Sequence, residues 1–247
     1  MKQRTFHILL TALALALLAD GCDKSGTNCF NSSGPVILQE RLLPAFDSIE
    51  MLDNVNVILT YDTSSGVVVE AGENIIDGIT TEVVNRNLII GNTNICNWTR
   101  SYDKPINVYV SVNYLWKVYY NSAGNLTTTN TLPFDSLKIE VWGGCGTIDL
   151  DVNVITGYFI ENLGTADIRL KGSCGICYIY SGEYGPFHCE DLDIAYCFVT
   201  TISSNDCWVN ARRTLGATIG GIGNVYYTGI PDSIYFSITG EGKLIHY

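Results

Sequence analysis

The sequence predicts an all-β chain folded as a parallel β-solenoid with coils of about twenty residues, and three observations predict it. A Gly-rich or turn-prone step returns with that period, at Gly124, Gly146, Ala166, Gly185, Asn205, Gly223 and Gly242. Two residues after each step stands an apolar side chain: Leu126, Ile148, Ile168, Phe187, Cys207, Val225 and Leu244. The alternation then continues through Thr128, Leu150, Leu170, Cys189, Val209 and Tyr227, the period of two that a half-buried strand requires. Short strands also suit an antiparallel sandwich or meander barrel, but only a parallel stack explains why the same columns recur coil after coil.

Lys2 and Arg4, then an apolar run from Leu9 to Leu18, mark residues 1–21 as a signal peptide too short to be a membrane span. The stretch Leu18-Ala19-Asp20-Gly21-Cys22 resembles a bacterial lipoprotein cleavage box, which implies lipid attachment at Cys22. The competing reading is ordinary signal cleavage that leaves Cys22 as a thiol. Residues 22–35, rich in Ser, Gly and Asn, form a tether, and a single domain spans 36–247. Within it, 36–112 are irregular N-terminal coils with β-branched strands at Ile49 to Met51, Val55 to Thr60, Val67 to Ala71, Asn87 to Ile90 and Ile106 to Val112. Glu73 to Val84 is the only stretch that suits a helical turn or two.

Regular coils occupy 113–247. A second strand in each presents Trp116, Val118 and Tyr120, then Leu137, Ile139 and Val141, then Tyr158 and Ile160. It continues with Cys177 and Ile179, Cys197 and Val199, Leu215, Ala217 and Ile219, and Ile234, Phe236 and Ile238.

Composition narrows the function. The 14 Lys and Arg against 25 Asp and Glu give a net charge of −11, the wrong sign for nucleic acid. Cys174 and Cys177 have redox-motif spacing without the helical context of that motif. Cys177 and Cys197 share a column on adjacent coils, as a disulfide or as stacked thiols. With His7 in the signal, His188 and His246 are too few for a zinc site, and no metal or other cofactor is expected.

The acidic residues Asp149, Asp151, Asp191 and Asp193, with Asp167 and Arg169 among them, form the one cluster that invites a chemical reading, as a carboxylate pair or a Ca²⁺-binding face. They alternate with core residues, so the solvated side of amphipathic strands accounts for them as well. No catalytic residue is assigned. Fifteen Tyr and four Trp suggest carbohydrate contacts, with Tyr119, Tyr180, Tyr184, Tyr226 and Tyr235 expected outward or at corners.

Phe46-Asp47-Ser48-Ile49-Glu50, Asn54-Val55-Asn56-Val57-Ile58-Leu59 and the closing Gly221-Ile222-Gly223-Asn224-Val225-Tyr226-Tyr227-Thr228-Gly229-Ile230-Pro231 carry a resemblance. From about Arg41 to the C-terminus the chain resembles the bacterial family called putative auto-transporter adhesin, head GIN domain, with Asn54 where Gly is usual. The resemblance implies a right-handed parallel β-helix on an exported protein or lipoprotein, and it brings no catalytic residue to carry over. The expectation is a non-enzymatic, lipid-anchored cell-envelope protein that uses its solenoid surface to bind an envelope protein or a glycan. A polysaccharide-active enzyme and a purely structural envelope protein are the rival readings.

Overall fold

The computed structural model describes residues 32–95, 104 and 106–247, and the strands stack as the repeat predicts. Two long parallel ladders form the walls. The first runs from β6 (Asn87–Asn92) through β2 (Ser48–Asp53), β8 (Lys117–Ser122) and β10 (Ser136–Gly144). It continues through the C-terminal parts of β11 (Thr147–Leu163), β12 (Asp167–Ser181), β13 (Phe187–Thr201) and β14 (Cys207–Ile219), and ends at β16 (Ser233–Ile238). The second runs from β7 (Asn107–Val112) through β3 (Asn56–Tyr61) and β9 (Leu126–Thr128) to the N-terminal parts of β11 to β14. It closes with β15 (Val225–Thr228) and β17 (Leu244–His246). A short third wall joins them where Val152, Gly172 and Leu192 stack.

The apolar columns behave as the alternation requires. Leu126, Ile148, Ile168, Phe187, Cys207 and Val225 pair in sequence along the second ladder, and each is at most 1% exposed. Burial of such ladders contributes about 25 cal/mol per Å² of apolar surface, the main favourable term for the fold. The Gly step has a steric cause. A Cβ at Gly223 would meet the Asn205 carbonyl of the preceding coil, and one at Gly124 would meet that of Val55. Neither glycine has a positive φ, so what the step demands is close backbone approach between coils.

Three sequence expectations need correction. Tyr158 and Ile160 do not face inward: Gly157, Phe159 and Glu161 do, with Phe159 and Glu161 fully buried and Tyr158 37% exposed. Trp116 lies outside its strand and is exposed. Glu73 to Val84 holds only a 3₁₀ turn at Ile76–Gly78, after which the β-branched run Ile79–Val84 becomes β5.

Residues 36–112 also depart from simple parallel stacking. The coil made by β2 and β3 lies between β6–β7 and β8–β9, although β6 and β7 come later in the chain than β2 and β3. Outside β6 and β7 the pairing turns antiparallel, with β5 on β6, β4 (Gly66–Gly72) on β7, and β1 (Val36–Arg41) on β4. Asn85 and Arg86, both at positive φ, make the two-residue turn that reverses β5 into β6. These strands cap the first end of the solenoid.

Two buried polar groups tie adjacent coils together. The Tyr120 hydroxyl donates to the Gly124 carbonyl at 2.7 Å and accepts the Gly146 N–H at 3.0 Å; burial pushes its pKa up to about 12. The Glu161 carboxylate accepts N–H groups from Gly182 (3.1 Å), Glu183 (2.9 Å) and Gly185 (3.3 Å), all at the next corner.

Candidate functional site

On the outer side of the first wall, the alternation that buries Cys177, Cys197 and Leu215 turns their neighbours outward. Tyr158, Tyr178, Phe198, Gly216 and Tyr235 therefore occupy one column on successive coils. The Tyr158 and Tyr178 rings stack at 5.1 Å and 9°, and those of Tyr178 and Phe198 at 5.4 Å and 20°. Stacked rings spend their faces on one another and show solvent only their edges. Within this column a ring face can be free only at an interruption or at an end.

Gly216 is that interruption. It lies between Phe198 and Tyr235, which are two coils apart, roughly 10 Å at 4.8 Å per coil. The result is a shallow depression of about 430 Å³ floored by Gly216 and walled by Phe198 and Tyr235. Thr200, Thr218 and Ser237, from the adjacent outward column, line its side. The Phe198 ring leans over the gap, since a Cβ on Gly216 would lie 2.8 Å from Phe198 Cδ1. Tyr235 is 66% exposed. Two apolar ring faces beside a row of hydroxyls suit a ligand that is apolar on its flat sides and hydroxylated at its edge.

The second wall carries a file of different chemistry. Thr127, Asp149, Arg169, His188, Trp208, Tyr226 and Ile245 follow one another outward along it. His188, Trp208 and Tyr226 stack at 4.7 and 5.5 Å, nearly parallel. Beside them a polar depression of about 280 Å³ is lined by Asp149, Arg169, Lys171, His188, Glu190 and Asp191.

The register separates the acidic residues by cations. Asp149 lies beside Arg169 and Asp151 beside Lys171, whereas Asp191 and Asp193 are a further coil away on β13. Arg169 bonds Asp167 at 2.6 Å, and Asp193 is ion-paired with Arg212. Among the described residues no group of three or more His, Cys, Asp or Glu is placed to hold a metal ion. Alternating charge along the stack is what a solvated strand face requires.

Tyr119, Tyr180, Tyr184 and Tyr226 all lie on the outer surface or at corners, as does Tyr235. The sequence reading missed Tyr178 and Phe198 and turned Tyr158 inward. For Tyr178 and Phe198 the signal was available in their strict alternation with Cys177 and Cys197.

Cys177 and Cys197 are direct register partners, both free and fully buried, stacked in the core. The hydrogen bond with Cys174, then burial, holds the Cys177 thiol well above its ordinary pKa, and burial does the same for Cys197. Of the described cysteines only Cys145 is exposed. Iodoacetamide applied to the native protein and followed by peptide mapping is therefore expected to label Cys145 and to spare Cys177 and Cys197, which should label only after denaturation in the absence of reductant. A Cys177–Cys197 disulfide peptide would overturn this. Cys22 lies outside the described residues.

Comparisons place this geometry among known folds. The family model described as putative auto-transporter adhesin, head GIN domain, matches residues 45–231. The structure is similar to that of a putative adhesin from Bacteroides fragilis, with a TM-score of 0.80 and 19% identity over 88% of this chain and 100% of that one. A putative lipid binding protein from Parabacteroides distasonis gives a TM-score of 0.66 and 20% identity, covering 87% of this chain and 97% of that one. A putative adhesin from the same organism gives 0.64 and 17%, covering 87% and 99%. No curated protein matches.

Proposed function

The chain belongs to the family described as putative auto-transporter adhesin, head GIN domain, and from that premise we propose that it is a non-enzymatic binding protein of the cell envelope that holds glycans on the outer side of its first wall. The observation that carries this reading is the break in the aromatic column at Gly216, where Phe198 and Tyr235 have no ring between them and are flanked by Thr200, Thr218 and Ser237. A pyranose ring presents C–H groups on its faces and hydroxyls on its rim, which matches that arrangement. Asp149, Asp151, Asp167 and Asp193 each have a cation beside them, which suits a solvated face better than paired-carboxylate chemistry.

Attachment to the envelope would come from Cys22 and the 22–35 tether. The described chain begins against the capped end, where Asn74 donates to the Ser32 carbonyl at 3.0 Å and Glu73 N–H to that of Pro35 at 2.8 Å. An anchor entering there leaves the other end of the solenoid pointing away from the membrane. Among the described residues no helix is long and apolar enough to cross a membrane.

A glycan array probed with the chain carrying Cys22→Ala, which removes the anchor and keeps every described residue, tests the reading. Binding to a subset of glycans is expected, with affinity lowered roughly 2- to 10-fold by Tyr235→Ala, the range for one aromatic contact. Gly216→Val, which fills the gap, should lower it further. Absence of glycan binding, or binding indifferent to both substitutions, refutes the site.

A further inference from the structure

We propose that the open end of the solenoid docks a second copy of this chain, tip to tip about a two-fold axis. The two ends of the molecule are built differently. At the first end, β1, β4 and β5 close the stack with antiparallel pairing. At the other, among the described residues, β16 pairs only with β14 and β17 only with β15, so each leaves one edge of backbone N–H and C=O groups without a described partner.

The side chains there show the same incompleteness. Ile234, Phe236 and Ile238 continue the inward columns of Leu215, Ala217 and Ile219, which are 0%, 4% and 0% exposed. Yet they are themselves 38%, 64% and 41% exposed. The last coil is a core layer with nothing described above it.

A second copy fits this surface for three reasons. A two-fold axis across β16 sets it antiparallel to its counterpart, the same pairing with which the chain closes its other end. Residues opposite one another in an antiparallel pair must point to the same side of the sheet. With Tyr235 opposite the partner's Tyr235, Ile234 meets the partner's Phe236 and Phe236 meets the partner's Ile234, apolar against apolar on the inward side. One coil also offers about twenty residues a side, the number found in a standard stable interface.

The same pairing would join the two aromatic columns through Tyr235, placing two Gly216 gaps on one continuous surface for bivalent binding. That consequence rests on the proposed glycan reading; the dimer does not.

Sedimentation velocity of the Cys22→Ala chain over a range of concentrations tests the interface, together with amide exchange of β16. A monomer–dimer equilibrium is expected, with β16 amides protected in the dimer. Ile234→Asp and Phe236→Asp should each shift it to monomer without changing the far-ultraviolet circular dichroism. If Phe236→Asp fails to fold, Ile234→Asp decides the matter.

A wild-type chain that stays monomeric at every concentration overturns the proposal, including one that instead binds phosphatidylcholine vesicles through this end. A dimer that survives both substitutions overturns it too, because its contact then lies elsewhere. Glycan binding is scored separately on monomeric Ile234→Asp. Retained single-site binding there leaves the functional reading standing whatever the dimer result, and loss of all glycan binding by a dimeric wild type refutes that reading alone.

Discussion

Glu161→Ala is expected to destabilise the protein by about 3–5 kcal/mol, enough to lower its melting temperature by many degrees. The carboxylate is fully buried, and its two oxygens accept backbone N–H groups from Gly182, Glu183 and Gly185. Truncation leaves the Glu183 and Gly185 N–H groups without a protein acceptor, each costing about 1–3 kcal/mol, while Gly182 N–H keeps the Glu161 main-chain carbonyl at 2.8 Å. Glu161→Gln should fall in between, since one oxygen remains but the amide N–H₂ would face a backbone donor.

The effect carries a pH signature. Burial raises the Glu161 pKa above its ordinary 4.5, against the opposing pull of the backbone donors. An acid whose folded-state pKa is raised binds its proton more tightly when folded, so its contribution to stability grows as pH falls from the folded value toward the unfolded one. Urea unfolding of wild type and Glu161→Ala from pH 7 to pH 4 should therefore show the gap between them widening on acidification. A gap under 1 kcal/mol would show that the carboxylate does not hold this corner, and one that narrows in acid would show that the backbone donors outweigh burial in setting its pKa.

Phe187→Ala should cost a similar amount, about 3–5 kcal/mol, through lost burial and the cavity it leaves. Phe187 is fully buried between Ile168 and Cys207, and its volume is among the largest in the core. The site matters as much as the size. In a stack where each coil touches only its neighbours, a cavity in one coil weakens both interfaces it makes. Among the described residues, the segment beyond it, from β14 to β17, has no antiparallel cap of the kind that β1, β4 and β5 give the other end. Amide exchange in β14 to β17 should accelerate more than in β2 and β8, and thermal unfolding should broaden or split. Equal acceleration at both ends would mean that the domain unfolds as one cooperative unit despite its linear architecture.

How much was legible in the sequence varies with the element. The column from Leu126 to Val225 could be read directly, because each member is apolar, follows a small residue at fixed distance and alternates with polar neighbours. The alternation failed at Gly157-Tyr158-Phe159-Ile160, where apolar residues occupy both parities and only pairing with β12 decides which face is inside. The place of Glu161 was hidden for the same reason: a Glu in a strand reads as solvent-facing until the next corner is seen to aim three N–H groups at it. The cap escaped because β1 pairs with β4, and β4 with β7, across gaps in sequence that no local pattern bridges.

The candidate site divides the same way. Its tyrosines were visible as outward residues, but Gly216 becomes a gap only once Phe198 and Tyr235 are known to stand on either side of it.

That this chain is a β-solenoid is written in its residues, because a repeated step and a period-two alternation are local properties that each coil states anew. Which coil lies beside which, where antiparallel strands close the stack and where the aromatic column breaks emerge only in the folded chain. Those depend on register between strands remote in the chain, and a shift of one residue exchanges the inside of a strand for its outside.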